Sequence, residues 1–354
     1  MVELHQVQKK ELKEIFSIGQ ASETLKRYYR RKLQGKENVG VFDIVDIVGG
    51  LSNYMYSFRL EYNEGTGRHS ENLILRASRN KAGLRREFQV LQKLYPTSIP
   101  VPKVYDMGEE IPGFSFIIME KIEGQTMFNA LESMTEAEET ELWKQFSRTL
   151  ADINMLNWRS IGFDFLDPPE GKYDYINRQL SWLWEQHKEW GIGCLNPILD
   201  WLEANKPPSD HYVLLHSDFH PLNVMVNKGE IAAVVDWEDV SIGDAAHDVC
   251  WPPLLFRAID ASDEWHSSLT ETFLEHYGEM TERELQNFDF YLILKAAFFL
   301  FCIMAMKIHG TEELGMKAEA DILTRPDEFD LLGASIGVVK EKTGVDISSA
   351  VEKI

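Results

Sequence analysis

Apolar positions recur every three to four residues through "KELKEIF" (10–16) and "ASETLKRYYRRKL" (21–33). This period predicts helix across residues 1–37, ending near Gly35. The period then shortens. "VFDIVDIVGG" (41–50) and "YMYSFRLEY" (54–62) are rich in β-branched and aromatic residues around the break "GGLSN", and "NLILRAS" (72–78) reads as a third short strand. Helical spacing returns in "AGLRREFQVLQKLY" (82–95) and stops before "PTSIPVPKV", whose three prolines forbid helix. "KVYDMGEE" and "FSFIIMEKIEG" then predict another hairpin.

Beyond Gln125 the spacing is mainly helical, in "EAEETELWKQFSRTLADINML", "YDYINRQLSWLWEQHKEW" and "LNPILDWLEAN", and later in "HSSLTETFLEHYG", "RELQNFDFYLILKAAFFLFCIMAMKI" and "DEFDLLGASIGVVKEKTG". One stretch interrupts it. In "YVLLHSDFHPLNVMVNKGEIAAVVDWED" (212–239) short apolar runs alternate with polar turns, as small strands do. The expected class is therefore α+β and bilobal. A small β-rich lobe, residues 1–121, is joined near Met119 to Gly124 to a larger, mainly helical lobe, residues 122–354, with an embedded β-hairpin. A length of 354 residues fits two lobes better than one core.

Composition narrows the partners. Fifty-seven acidic against 36 basic residues give a formal charge of −21, which argues against nucleic acid or an anionic membrane as partner and could concentrate a cationic substrate. The N-terminus lacks the apolar region of a signal peptide, and Cys194, Cys250 and Cys302 are widely spaced with no CxxC pair. A cytoplasmic protein with buried thiols is expected. The run "FYLILKAAFFLFCIMAM" (290–306) approaches the length of a bilayer span, but Lys295 within it and Asp289 and Lys307 beside it favour a buried core helix.

The chemistry concentrates in "LLHSDFHPLNVMVN" (214–227). His216, Asp218 and His220 alternate, as ligands of a transition metal in a hydrolase could, although Pro221 turns the chain at once and no other histidine cluster completes such a site. The second reading takes Asp218, Asn223 and Asp236 as the unit. A hairpin "VMVNKGEIAAVVD" can bring Asn223 beside Asp236, two oxygen ligands suited to Mg²⁺ with phosphate and water in its remaining positions. Asp218 would then orient a hydroxyl nucleophile and accept its proton.

"LLHSDFHPLNVMV" followed by "AAVVDWEDVSIGDAAHDV" resembles the catalytic loop and metal segment of the aminoglycoside phosphotransferase and choline kinase superfamily, whose fold is similar to that of protein kinases. "VGGLSNYMYSF", "LILRAS", "RREFQVLQKL", "PVPKVYDMGEE", "FSFIIMEKIEG", "YINRQLSWLW" and "FYLILKAAFFL" follow in the family's order. In detail the chain is most similar to the kinase-like domains related to those fused to acyl-CoA dehydrogenases. The resemblance implies an ATP- and Mg²⁺-dependent phosphotransferase acting on a small-molecule hydroxyl, aminoglycoside-like, amino-alcohol-like or sugar-like. It makes Asp218 the catalytic aspartate and Asn223 and Asp236 the magnesium ligands. It gives His216 and His220 to loop architecture, and Asp244 and Asp248 to structural support. Glu238 and Asp239 could approach a second metal or a substrate amine.

In the small lobe it assigns Gly50, Ser52 and Asn53 to a phosphate-covering turn, and Arg76, where most relatives have lysine, to the phosphates with Glu87 as its anchor. Backbone groups from Glu120 to Ile122 would meet the adenine. Three departures stand out: Arg76 for lysine, Ser217 for the usual glycine, and Asn154 where histidine is common. They leave room for an inactive nucleotide-binding module. The aromatics Trp182, Trp184, Trp251, Tyr291, Phe298 and Phe299 are read as core and assigned no role in the site.

Overall fold

The structure is a computed structural model that describes residues 16–47, 53–111, 113–259, 263–282, 285–311 and 329–351. The chain divides into two compact units, one running to Glu123 and the other beginning at Gly124.

The first unit comprises α1 (Ile18–Lys32), β1 (Glu37–Asp46), β2 (Tyr54–Glu64), β3 (Gly67–Ser78), α2 (Lys81–Leu94), β4 (Val104–Ile111) and β5 (Phe114–Glu120). Helix α1 starts at a capping box, in which the Ser17 hydroxyl accepts from Gln20 N–H and the Gln20 side chain accepts from Ser17 N–H. It ends at Lys32, short of Gly35, because Gly35 has φ +90° and residue 37 already belongs to β1. Residues 1–15 of the expected first helix lie outside the described residues.

The five strands form one antiparallel sheet in the order β1-β2-β3-β5-β4. Alternation along β3 sorts its side chains between two cores. Leu73, Leu75 and Ala77 join Leu25, Tyr28 and Phe116 in one, while Ile74 joins Leu84, Ile117 and Met119 in the other. Arg76, two residues from Ile74, therefore falls on the face that packs against α2.

The second unit comprises β6 (Gln125–Thr126), α3 (Met127–Leu131), α4 (Glu136–Met155), α5 (Trp158–Ile161), α6 (Asp174–Glu189), α7 (Asn196–Ala204), β7 (Val213–Leu215), β8 (Val224–Asn227), β9 (Glu230–Val234) and β10 (Ser241–Gly243). It continues with α8 (Ala246–Val249), α9 (Trp251–Ile259), α10 (Asp263–Thr281), α11 (Phe288–His309), α12 (Leu331–Thr343) and α13 (Ser348–Val351). The overall class is the expected α+β, with a small β-rich unit and a larger helical one. Strands β6, β8 and β9 form a small sheet, and β7 pairs with β10. The β8–β9 hairpin turns through Lys228 and Gly229, at φ +55° and +83°, with Asn227 opposite Glu230. Two successive positive φ values are those of a type I′ turn, whose twist matches the flanking strands.

The apolar run near residue 300 is the buried helix of this unit. Residues 290–297, Leu300, Phe301 and residues 303–306 of α11 are buried, and the helix packs on α7, α8 and α12. By length and composition alone it could cross a membrane. The expected continuous helix from Arg283 is not observed: residues 285–287 are non-helical, and Asn287, at φ +64°, donates to Pro208 O before the helix begins at Phe288. All three cysteines are free thiols, but only Cys250 is fully buried; Cys194 and Cys302 are half-buried.

Gly124, at φ +120°, lies against the Val226 carbonyl of β8, where a Cβ would collide with the oxygen. Gly124→Ala should lower stability by roughly 2 kcal/mol or more, from the backbone conformation and the collision together, measured by urea unfolding.

Candidate active site

The segment between β7 and β8 is built around a buried carboxylate. Asp248 of α8 is fully buried and accepts from two successive backbone donors, His216 N–H (2.8 Å) and Ser217 N–H (2.7 Å). Burial pushes its carboxyl up to about 6, against the opposing pull of Lys295 and these donors. Asn154 on α4 adds an amide donor to Asp248, donates to Leu214 O at 2.8 Å, and accepts from Tyr277 OH at 2.9 Å. The departure at Asn154 thus keeps the loop tethered. Asp244 accepts from the N–H of Ala246, the first residue of α8, at 3.0 Å.

Ser217 has φ +70°. This is the left-handed region that glycine enters without strain, which accounts for the glycine expected there. The serine is held by its hydroxyl against Ser241 Oγ (3.0 Å) and by its carbonyl, which accepts from Lys295 Nζ at 3.0 Å.

His216 is fully buried, and burial lowers its pKa to about 4. Its neutral ring uses both nitrogens. Nδ1 accepts from Asp218 N–H (3.3 Å), which places the proton on Nε2, and Nε2 donates to Val235 O (3.0 Å). One imidazole therefore ties the Asp218 segment to the residue preceding Asp236, with Trp237 packed beneath it at 4.6 Å between ring centroids. This occupancy leaves His216 no lone pair for a metal. No group of three or more His, Cys, Asp or Glu side chains arranged for a metal ion occurs among the described residues. The hydrolase reading loses its ligand set.

Asp218 presents its carboxyl with the side chain 38% exposed. Oδ1 accepts from the Trp251 indole N–H (3.0 Å), and Oδ2 accepts from Asn223 Nδ2 (3.0 Å) and His220 Nε2 (3.3 Å). His220 Nδ1 accepts from Leu222 N–H, so its Nε2 carries the proton. Burial alone would raise the Asp218 carboxyl, but His220, by charge and hydrogen bond, with Lys295 and His216, holds it well below the usual carboxylate range.

The hairpin brings the backbone of Asn223 to the residue preceding Asp236. Val224 pairs with Val234, and Val235 N–H donates to Asn223 O at 2.9 Å, so Asp236 follows just beyond the end of the ladder. Asn223 spends both amide protons on Asp218, one on the backbone carbonyl (2.9 Å) and one on Oδ2; its 3.1 Å approach to His220 Nε2 is proximity only. The amide oxygen, which a hard cation prefers, makes no hydrogen bond among the described residues. Asp236 has φ +67°. Asp239 is exposed, yet it stands in a crowded neighbourhood where lost solvation, then Glu238, Asp218 and Asp236, push its carboxyl up to about 6. Carboxylates that repel one another beside an amide oxygen suit a divalent cation.

In the first unit, Arg76 and Glu87 form an ion pair at 3.2 Å (Nε to Oε2) with both side chains buried, rather than an exposed surface pair. The N–H groups of Glu120 and Lys121 are already committed, to Lys103 O and Asn72 O, and the Glu120 carboxylate accepts from Lys103 N–H. Ile122 N–H makes no hydrogen bond among the described residues. Asn53 is buried. Gly50 and Ser52 lie outside the described residues.

Two residues at this site were not legible as such. Lys295 was noticed only as a charge interrupting an apolar run; a buried ammonium needs acceptors, and that requirement was the available signal. Trp251 gave no signal of its own, since nothing in "HDVCW" distinguishes an indole that reaches Asp218 from one that fills core.

Residues 43–291 match the sequence model of the phosphotransferase enzyme family, and the chain belongs to that family. Mouse acyl-CoA dehydrogenase family member 10 is 25% identical over 317 residues, which are 84% of this chain; the chain spans only 29% of that protein's length. A crystal structure from Ralstonia eutropha JMP134, assigned to the aminoglycoside phosphotransferases, superposes with a TM-score of 0.65 at 22% identity, covering 90% of this chain and 98% of the other. A thermostable mutant of aminoglycoside phosphotransferase APH(4)-Ia, in ternary complex with AMP-PNP and hygromycin B, gives 0.58 at 15% identity over 91% and 99% of the two chains.

Two outcomes follow from this geometry. Ser217→Gly relieves the left-handed strain but loses one hydroxyl contact, so unfolding free energy should change by less than about 1 kcal/mol, whereas Ser217→Val should cost more. Because folding lowers the His216 pKa from 6.5 to about 4, its contribution is complete above pH 6.5 and is lost as pH falls towards 4. The stability advantage of the wild type over His216→Asn should therefore narrow by about 3 kcal/mol between pH 7 and pH 4, followed by urea titrations.

Proposed function

We propose that this chain transfers the γ-phosphoryl group of ATP to a hydroxyl of a small molecule, with Asp218 orienting the hydroxyl and taking its proton. The observation that carries the reading is the hairpin, which sets Asn223 against the Asp236 segment while the Asn223 amide holds the Asp218 carboxylate at 3.0 Å. Asn223 and Asp236 would hold Mg²⁺, which supplies charge neutralisation for the phosphate oxygens when bound. Arg76, fixed by Glu87, offers a guanidinium to phosphate, a group that remains charged and can grip two oxygens. The free N–H of Ile122 and the carbonyl of Glu120 suit a purine edge. Asp218 is kept ionised by its neighbours, so its role is to align the hydroxyl first and accept the proton late in transfer.

The acceptor is a small hydroxylated molecule. The acidic surroundings of Asp239, Glu238 and Asp236 favour one that carries a positive charge. The hygromycin B bound by APH(4)-Ia is an example of the class to try first.

ADP release from magnesium ATP, measured against hydroxylated acceptors including hygromycin B, tests the proposal. Asp218→Ala and Asp236→Ala should each lower turnover by about 10²-fold or more. Unchanged turnover in both variants would sink the mechanism, and nucleotide binding without ADP release for every acceptor would make the chain an inactive module.

A further inference from the structure

Asp218 carries three hydrogen bonds, and they are unevenly divided. Oδ2 receives two donors, from Asn223 and His220, while Oδ1 receives only the Trp251 indole N–H at 3.0 Å. A carboxylate oxygen has two lone-pair directions, so Oδ2 is saturated and Oδ1 retains one. The indole is itself fixed. Its ring stacks on Phe299 with centroids 4.2 Å apart and planes inclined by 19°, and Trp251 is only 4% exposed. Phe299 lies one helical turn along α11 from Lys295, on the same face. Lys295 Nζ donates to Ser217 O and stands 5.8 Å from the Trp251 ring centroid. One turn of α11 thus holds the Asp218 segment twice, through the ammonium on the backbone of Ser217 and through the Phe299–Trp251 stack on the carboxylate.

We infer that Trp251 is a positioning residue: its N–H fixes the plane of the Asp218 carboxylate so that the remaining lone pair of Oδ1 receives the acceptor hydroxyl. The inference rests on Asp218 being the carboxylate that meets the acceptor. Without the indole donor only the two contacts on Oδ2 resist rotation of the carboxylate about its Cβ–Cγ bond, and Oδ1 loses its own restraint. The loss then falls on the chemical step and leaves nucleotide affinity untouched.

The test uses the full chain and its ADP release from magnesium ATP with water as acceptor. Trp251 is replaced by phenylalanine and, in a second variant, by benzothienylalanine introduced at the same position. The latter has the shape of tryptophan with sulfur in place of the indole N–H, so it folds and stacks as the native ring does while donating nothing. Both variants should lose about 10-fold or more in kcat with the KM for magnesium ATP unchanged; the benzothienylalanine variant should melt near the wild type, whereas phenylalanine, which leaves part of the buried indole volume empty, should melt lower. A ring that served packing alone would leave the benzothienylalanine variant at the wild-type rate, and that result overturns the inference. Asp218→Ala, measured beside them, separates the two levels. Turnover lost in Asp218→Ala but intact in both Trp251 variants removes only the positioning role, whereas turnover intact in Asp218→Ala removes the phosphotransfer mechanism itself.

Discussion

A buried carboxylate that accepts two consecutive backbone N–H groups is the constraint on which the second unit's site depends. Asp248 takes the amides of His216 and Ser217, the two residues that bring the chain from β7 to Asp218. A buried carboxylate without donors would be costly, so its two oxygens and the two amides are obliged to meet. Once they do, Ser217 is pressed into a left-handed backbone, and His216 points inward towards Val235 O while its other nitrogen accepts from Asp218 N–H. The loop's shape is imposed by a residue outside it.

That constraint joins a second, local one. The β8–β9 ladder brings Asn223 to Val235 by backbone pairing, and His216 clamps the same residue from the other side. Asp218, Asn223 and Asp236 are therefore related through one residue, Val235, whose N–H meets Asn223 O and whose carbonyl meets the buried ring of His216. Such a frame gives the preorganisation that phosphoryl transfer asks of a protein, since little covalent chemistry is left for side chains to perform.

Most of this frame was legible because it is local. The hairpin follows from alternation on either side of "NKG", and the Arg76–Glu87 pair from the resemblance that aligns the strand cation with the helix glutamate. What escaped had partners far along the chain. Helical periodicity ran through 285–287 because an αL asparagine bound to Pro208 O leaves no trace in an apolar pattern. Trp251 looked like core because it is core on every side but one. Lys295 looked like an interruption because its acceptor, Ser217 O, lies 78 residues earlier. Ser217 itself reads as a departure from glycine, and only its φ value shows that the two residues answer the same backbone demand.

The distance along the chain between Lys295 and Ser217 also has a consequence for how the protein is made. During synthesis the hairpin and Asp248 emerge long before α11, so the segment around Asp218 can adopt its pairing but lacks the ammonium and the aromatic support. Its final geometry waits for a helix that is among the most apolar in the chain and that is buried only when it docks. Contacts of such long separation are costly to close, so the site is completed only when this helix docks. Competence is thus tied to the same docking event that removes a long apolar helix from water.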